Sequence, residues 1–178
     1  MPDQILQLFL NEWSQNDTLR TALELLPLVL PVVIWAVFPR PKKSGQSLLI
    51  LFSFFVGLHA LFTAYSLIFQ TAETAALYGW KTSRFLSLLG SFHAAAGVGL
   101  LICLALGRPE WTKGILITLA LYAASSGILH LMEAVANKRL SLTHLGPPLW
   151  HDILAVILTL WVLKKAEGGP KPIYYVPR

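Results

Sequence analysis

The stretch SLLILFSFFVGLHALFTAYSLIF, Ser47 to Phe69, runs for 23 residues without one Lys, Arg, Asp or Glu. A hydrocarbon core of ~30 Å takes ~20 helical residues to cross, so a run of this length reads as a membrane span. It is far too long for a strand and lacks the alternation of a membrane barrel, so a helix is the expectation. Four more apolar stretches accompany it, at about 19–38, 85–106, 115–136 and 149–163. The last is short for a span. The expected fold is all-α: a polytopic bundle of five transmembrane helices.

Composition points the same way. Of the 178 residues 55% are hydrophobic and 13% charged, with a mean hydropathy of +0.61. An ordinary soluble domain carries about 25% charged residues. A soluble protein of this size has too few polar side chains here to cover its surface, and bulk disorder is excluded by the excess of apolar residues. Cys103 is alone, so no disulfide scaffold exists. The chain reads as one transmembrane domain over 1–167, followed by an extended cytoplasmic tail over 168–178 with three prolines and the pair Tyr174-Tyr175.

Span ends carry their own signals. Thr21 and Glu24 fit a capping box ahead of the first span. Pro27 and Pro31 lie inside it and are expected to kink it, while Pro39 and Pro41 stop it. Gly107 and Pro109 close the third span, and Pro147-Pro148 open the fifth. Trp80, Trp111 and Trp150 fall at span ends, where an amphipathic ring suits the headgroup layer. Ahead of the first span, Ile5, Leu8, Phe9 and Trp13 recur at helical spacing. They predict a short interfacial helix, either lying on the membrane or capping the outer end of the bundle. No basic segment precedes it, so no cleaved signal peptide is expected.

Five spans put the termini on opposite sides. Arg40, Lys42, Lys43, Arg108, Lys113, Lys164, Lys165, Lys171 and Arg178 share one side; Arg20, Lys81, Arg84, Lys138 and Arg139 share the other. Nine basic residues against five make the first side cytoplasmic, with the N-terminus external. The expected location is integral and multi-pass, in a cell inner membrane. The net charge of +5 then reflects topology and contact with the lipid bilayer; no nucleic-acid motif accompanies it.

Polar side chains are stacked along the spans. His59, Thr63, Ser66, Gln70 and Glu73 follow steps of four and three, which places them on one face. Ala123, Ser126, His130, Glu133 and Asn137 do the same on the fourth span. Ser83, Ser87, Gly90, His93 and Gly97 give the third a small, partly polar face, and the fifth opens with His151 and Asp152. All these faces open toward the external side. At ~1.5 Å per residue, His93 and His130 lie at similar depth, about 12 and 9 Å below the ends of their spans. The pattern predicts an outward-opening pocket floored by an apolar plug. Such stripes also serve as interhelical hydrogen-bond glue, which is the plainer reading for Thr63 or Ser126. Three titratable groups on adjacent helices, His93, His130 and Glu133, exceed what packing needs.

Imidazoles with a carboxylate suit zinc or iron. The expected metal set is His59, His93, His130, Glu133, His151 and Asp152, with His93 and His130 leading. The same two histidines are candidate axial ligands for haem, with Gly90, Gly97, Gly99 and Gly127 leaving space for a macrocycle. Either would serve redox or metal-dependent chemistry. A metal-free version makes Glu133 or Glu73 a buried acid or base with His130 as relay, fitting a lipid-modifying enzyme or a proton-coupled carrier. The H-E-x-x-H, C-x-x-C-H and G-x-S-x-G motifs are all absent. Five spans do not divide into two equal repeats, which argues against a repeat-built transporter. Cys103, in the apolar half, reads as core. The non-catalytic alternative is an accessory subunit of a larger membrane complex, for which Phe52, Phe54, Phe55, Phe62 and Phe69 offer docking bulk.

Overall fold

The computed structural model describes residues 17–37, 45–77, 81–136 and 146–167. Within them the chain is all-α, with six helices: α1 (Asp17–Val37), α2 (Gly45–Phe69), α3 (Thr71–Leu77), α4 (Arg84–Ala105), α5 (Pro109–Ala136) and α6 (Gly146–Glu167). Each of the five stretches expected to be helical is a helix. Three are long and apolar enough to cross a membrane, Gly45–Phe69, Arg84–Ala105 and Pro109–Met132, and Leu25–Val37 is a shorter apolar helix. The interfacial helix expected around Ile5–Trp13, together with Trp80, Asn137 and the tail, lies outside the described residues.

Helix boundaries follow local chemistry. Helix α1 is already under way at Asp17, so Thr21 lies inside it and does not cap it, and it continues through Pro27 and Pro31. At the end of α4, Gly107 takes φ +62°, a left-handed conformation that glycine adopts without a Cβ clash. Arg108 N–H then donates to the Cys103 carbonyl at 2.8 Å and Gly107 N–H to that of Leu104 at 3.1 Å. This is the Schellman pattern, which satisfies carbonyls a helix end would otherwise orphan. Pro109 is the first residue of α5, six residues ahead of the apolar run that begins at Ile115.

Helix α2 breaks at Gln70. The hydroxyl of Thr71 donates to the Leu67 carbonyl at 2.8 Å, and that of Thr74 to the Ser66 carbonyl at 3.1 Å. Hydroxyls that bond back onto a helix bend it. The short α3 therefore leaves the α2 axis while remaining tied to its last turn, and Ala75 packs with Leu67 and Leu86 beneath it.

Four helices form a ring: α2 packs on α4, α4 on α5, α5 on α6 and α6 back on α2, with α1 laid against α2 and α6. Around the ring, neighbours are antiparallel. A Cβ on Gly97 would lie 2.8 Å from the Gly57 carbonyl, one on Gly90 3.2 Å from the Ala64 carbonyl, and one on Gly45 would overlap the Lys165 carbonyl. The starts of α2 and α5 therefore share one end of the bundle with the ends of α4 and α6. At that end Leu48, Leu49, Phe52, Leu100, Leu116, Val162 and Leu163 build the main core. Trp35 of α1 sets its ring edge-on to Trp161 of α6, with centroids 6.2 Å apart. The apolar plug expected from the sequence is this cluster.

Outside the ring, large apolar side chains face away from the bundle: Leu88, Leu121 and Leu129 are each about two-thirds exposed (67%, 65% and 66%). Continuous apolar surface of this kind suits lipid and not water.

The glycine contacts make a direct test. Gly97→Leu should destabilise the bundle by about 1–3 kcal/mol, because the new side chain meets backbone that cannot withdraw. A Cβ on Gly114 meets nothing within 4 Å. Gly114→Ala should be neutral or stabilising by up to about 1 kcal/mol. Denaturant unfolding in detergent micelles reads both.

Candidate functional site

The ring's interior collects polar groups from each of its helices, toward the end away from the plug. His59 comes from α2, His93 from α4, Tyr122 from α5, and His151 with Asp152 from the first turns of α6. The rings of His59 and His151 are 5.1 Å apart at 39°. His93 is near enough to His59, His151 and Asp152 for their charges to interact. Its ring meets Tyr122 edge-on at 5.3 Å and Phe92 at 5.7 Å, and Phe92 and Tyr122 are themselves 5.4 Å apart.

Asp152 is the most buried member, 8% exposed. It packs against α5 at Gly127, where a Cβ would sit 3.4 Å from the Asp152 Cβ, an ordinary contact distance. His151 Nδ1 lies 3.6 Å from Asp152 Oδ1, beyond hydrogen-bond range but close enough for charge attraction. The remaining atoms of the pair, His151 Nε2 and Asp152 Oδ2, are buried with no hydrogen-bond partner. A buried polar atom left without a partner costs about 1–3 kcal/mol, and more when charged. Two on consecutive residues point to a ligand, since an Nε2 lone pair and a carboxylate oxygen are both acceptors. The group that suits them is a cation or a strong donor.

The chain belongs to the DUF6790 family. The family model, described as a family of unknown function, matches residues 18–170. No curated protein and no solved structure matches it. For this DUF6790 protein, the site is therefore read from its own residues.

The structure redistributes the residues singled out from sequence. His59, His93, His151 and Asp152 come together. His130 is half-buried on α5, three residues beyond Gly127, and the side chain of Glu133 lies outside the described residues. Glu73 does not continue the α2 face: the break at Gln70 carries it onto α3, where it is exposed. Gly90 and Gly97 leave no gap for a macrocycle, because their missing Cβ atoms are replaced by α2 itself, and Gly99 sits against Ile115. Among the described residues no three of His, Cys, Asp and Glu stand ready to hold one metal ion between them.

Among the described residues, Ser91, Thr112, Thr118 and Ser125 return their hydroxyls to carbonyls of their own helix or of the turn before it. Tyr122 was missed by the sequence reading. Its signal was there, since it stands one step of four before Ser126 and so extends the same face as His130.

Chemical cross-linking tests the grouping. On a Cys103→Ala background, the His59→Cys and His151→Cys pair should be joined by a short bifunctional thiol reagent. The pair Trp111→Cys with His151→Cys, at opposite ends of the bundle, should stay unlinked. The internal link is read by mass spectrometry after digestion.

Proposed function

We propose that this chain is a five-span membrane protein, N-terminus external and C-terminus cytoplasmic, whose buried histidine–aspartate chamber binds a transition-metal ion such as zinc or iron. In support of five spans, α1 and α6 have 21 and 22 residues. At ~1.5 Å per residue both approach the thickness of a hydrocarbon core. Each also packs lengthwise against the apolar α2. The orientation rests on the split of basic residues. Reporter fusions after Lys43, Lys81, Lys113 and Lys138 should alternate cytoplasmic, external, cytoplasmic, external; an external signal at Lys43 would reverse the assignment.

The observation that carries the metal reading is the orphaned pair, His151 Nε2 and Asp152 Oδ2, beside the imidazole of His59. Imidazole is the commonest ligand for zinc and also suits iron, and a carboxylate supplies the charge that a divalent ion needs in a low-dielectric site. A carboxylate buried in a membrane bundle calls for a counter-charge. On this reading His59, His151 and Asp152 are the ligands, and His93 is a fourth group or a partner that orients the others. Gly90 and Gly97 are taken up by α2, which favours a bare ion over haem in this reading.

Elemental analysis and an absorption spectrum of the purified protein decide between the readings. The expected result is one zinc or iron per chain without a Soret band. His151→Ala and Asp152→Asn should each weaken binding by more than tenfold, with a smaller loss in His130→Ala. A Soret band lost in His93→Ala and His130→Ala would select haem instead. A colourless, metal-free protein that folds normally with His151→Ala would favour an accessory subunit.

A further inference from the structure

The plugged end of the bundle carries a charge pattern independent of the chamber. Antiparallel packing gathers there the turn between α4 and α5 and the last turn of α6, beside the start of α2. The described charges at this end are Arg108, Lys113, Lys164 and Lys165 against Glu110 and Glu167. Lys113 is already used, since its Nζ lies 3.2 Å from Glu110 Oε1. Arg108, Lys164 and Lys165 are exposed, and among the described residues no acid pairs with them. The backbone of Arg108 is pinned by its bond to the Cys103 carbonyl, so the guanidinium stands on a rigid turn. Trp111, in the first turn of α5, is 71% exposed at the same end of the bundle. An exposed indole and unpaired cations at one end of a bundle are the composition of a headgroup layer, where the ring sits between apolar and wet surroundings.

We propose that this end of the bundle binds the phosphate headgroups of anionic phospholipid, with Arg108, Lys164 and Lys165 as the contacting cations and Trp111 as the interfacial anchor. Guanidinium engages a phosphate through two parallel N–H donors, and the adjacent lysines add point charge. Among the residues whose side chains are described, the cations at the other end are Lys81 and Arg84, with Glu73 exposed there too.

The full chain, placed in nanodiscs with equal phosphatidylglycerol and phosphatidylcholine, is purified again in detergent and its retained lipid is quantified. Phosphatidylglycerol should be enriched several-fold. Each of Arg108→Gln, Lys164→Gln and Lys165→Gln should lower that enrichment, and the triple variant should abolish it. The pair Lys164→Arg with Lys165→Arg should retain it, which separates charge from folding. Lys81→Gln with Arg84→Gln should also leave it intact. Unchanged enrichment in the triple variant, or an equal loss in the Lys81 and Arg84 variant, would overturn the proposal, whatever the chamber binds.

Discussion

Gly97 faces the carbonyl of Gly57 with no side chain between them, and this contact sets the geometry of the bundle. In lipid the hydrophobic effect does not drive helices together, so close backbone approach and dispersion contacts must do so. Gly57, Gly90 and Gly97, with Ala60 and Ala64, make α2 and α4 the most intimately packed pair of the ring. Holding those two helices close fixes where His59 and His93 lie relative to each other. Helix α6 then closes on α2 through Gly45 and on α5 through Gly127, which brings His151 and Asp152 into the same interior. The glycines that a sequence reading could give to a cofactor are thus taken up by the helices themselves.

The five long helices were legible because uninterrupted apolar runs of span length have few other meanings, and Gly107 with Pro109 marked a chain reversal in plain chemistry. Facing of helices was less legible. Spacing on one helix shows which residues share a face, but not which neighbour that face meets. Hence the pairing of His93 with His130 rested on spacing and depth, and the meeting of His59 with His151 across the α2–α6 seam was not foreseen. Glu73 was carried along by an unbroken period of four and three. The hydroxyl bonds of Thr71 and Thr74 that end that period have no hydropathy signal.

The chamber and the plug divide the ring between two environments. His59, His93, His151 and Asp152 sit among groups that need partners. A few turns away Leu48, Phe52, Leu100, Leu116 and Val162 need none and are almost fully enclosed. The apolar end supplies packing that keeps four helices in register. The polar end can then tolerate two unpartnered atoms, a cost that a bundle with a weaker core would carry less easily.

That division has an electrical side. Under the proposed orientation, with the polar end toward external water, the voltage across the membrane would fall mainly over the apolar cluster around Phe52, Leu100 and Val162. Moving one elementary charge through a full 100 mV involves about 2.3 kcal/mol, and an ion reaching the polar end from outside would cross little of that drop. Its occupancy would then depend little on membrane voltage, and the apolar end would offer it no route to the far side.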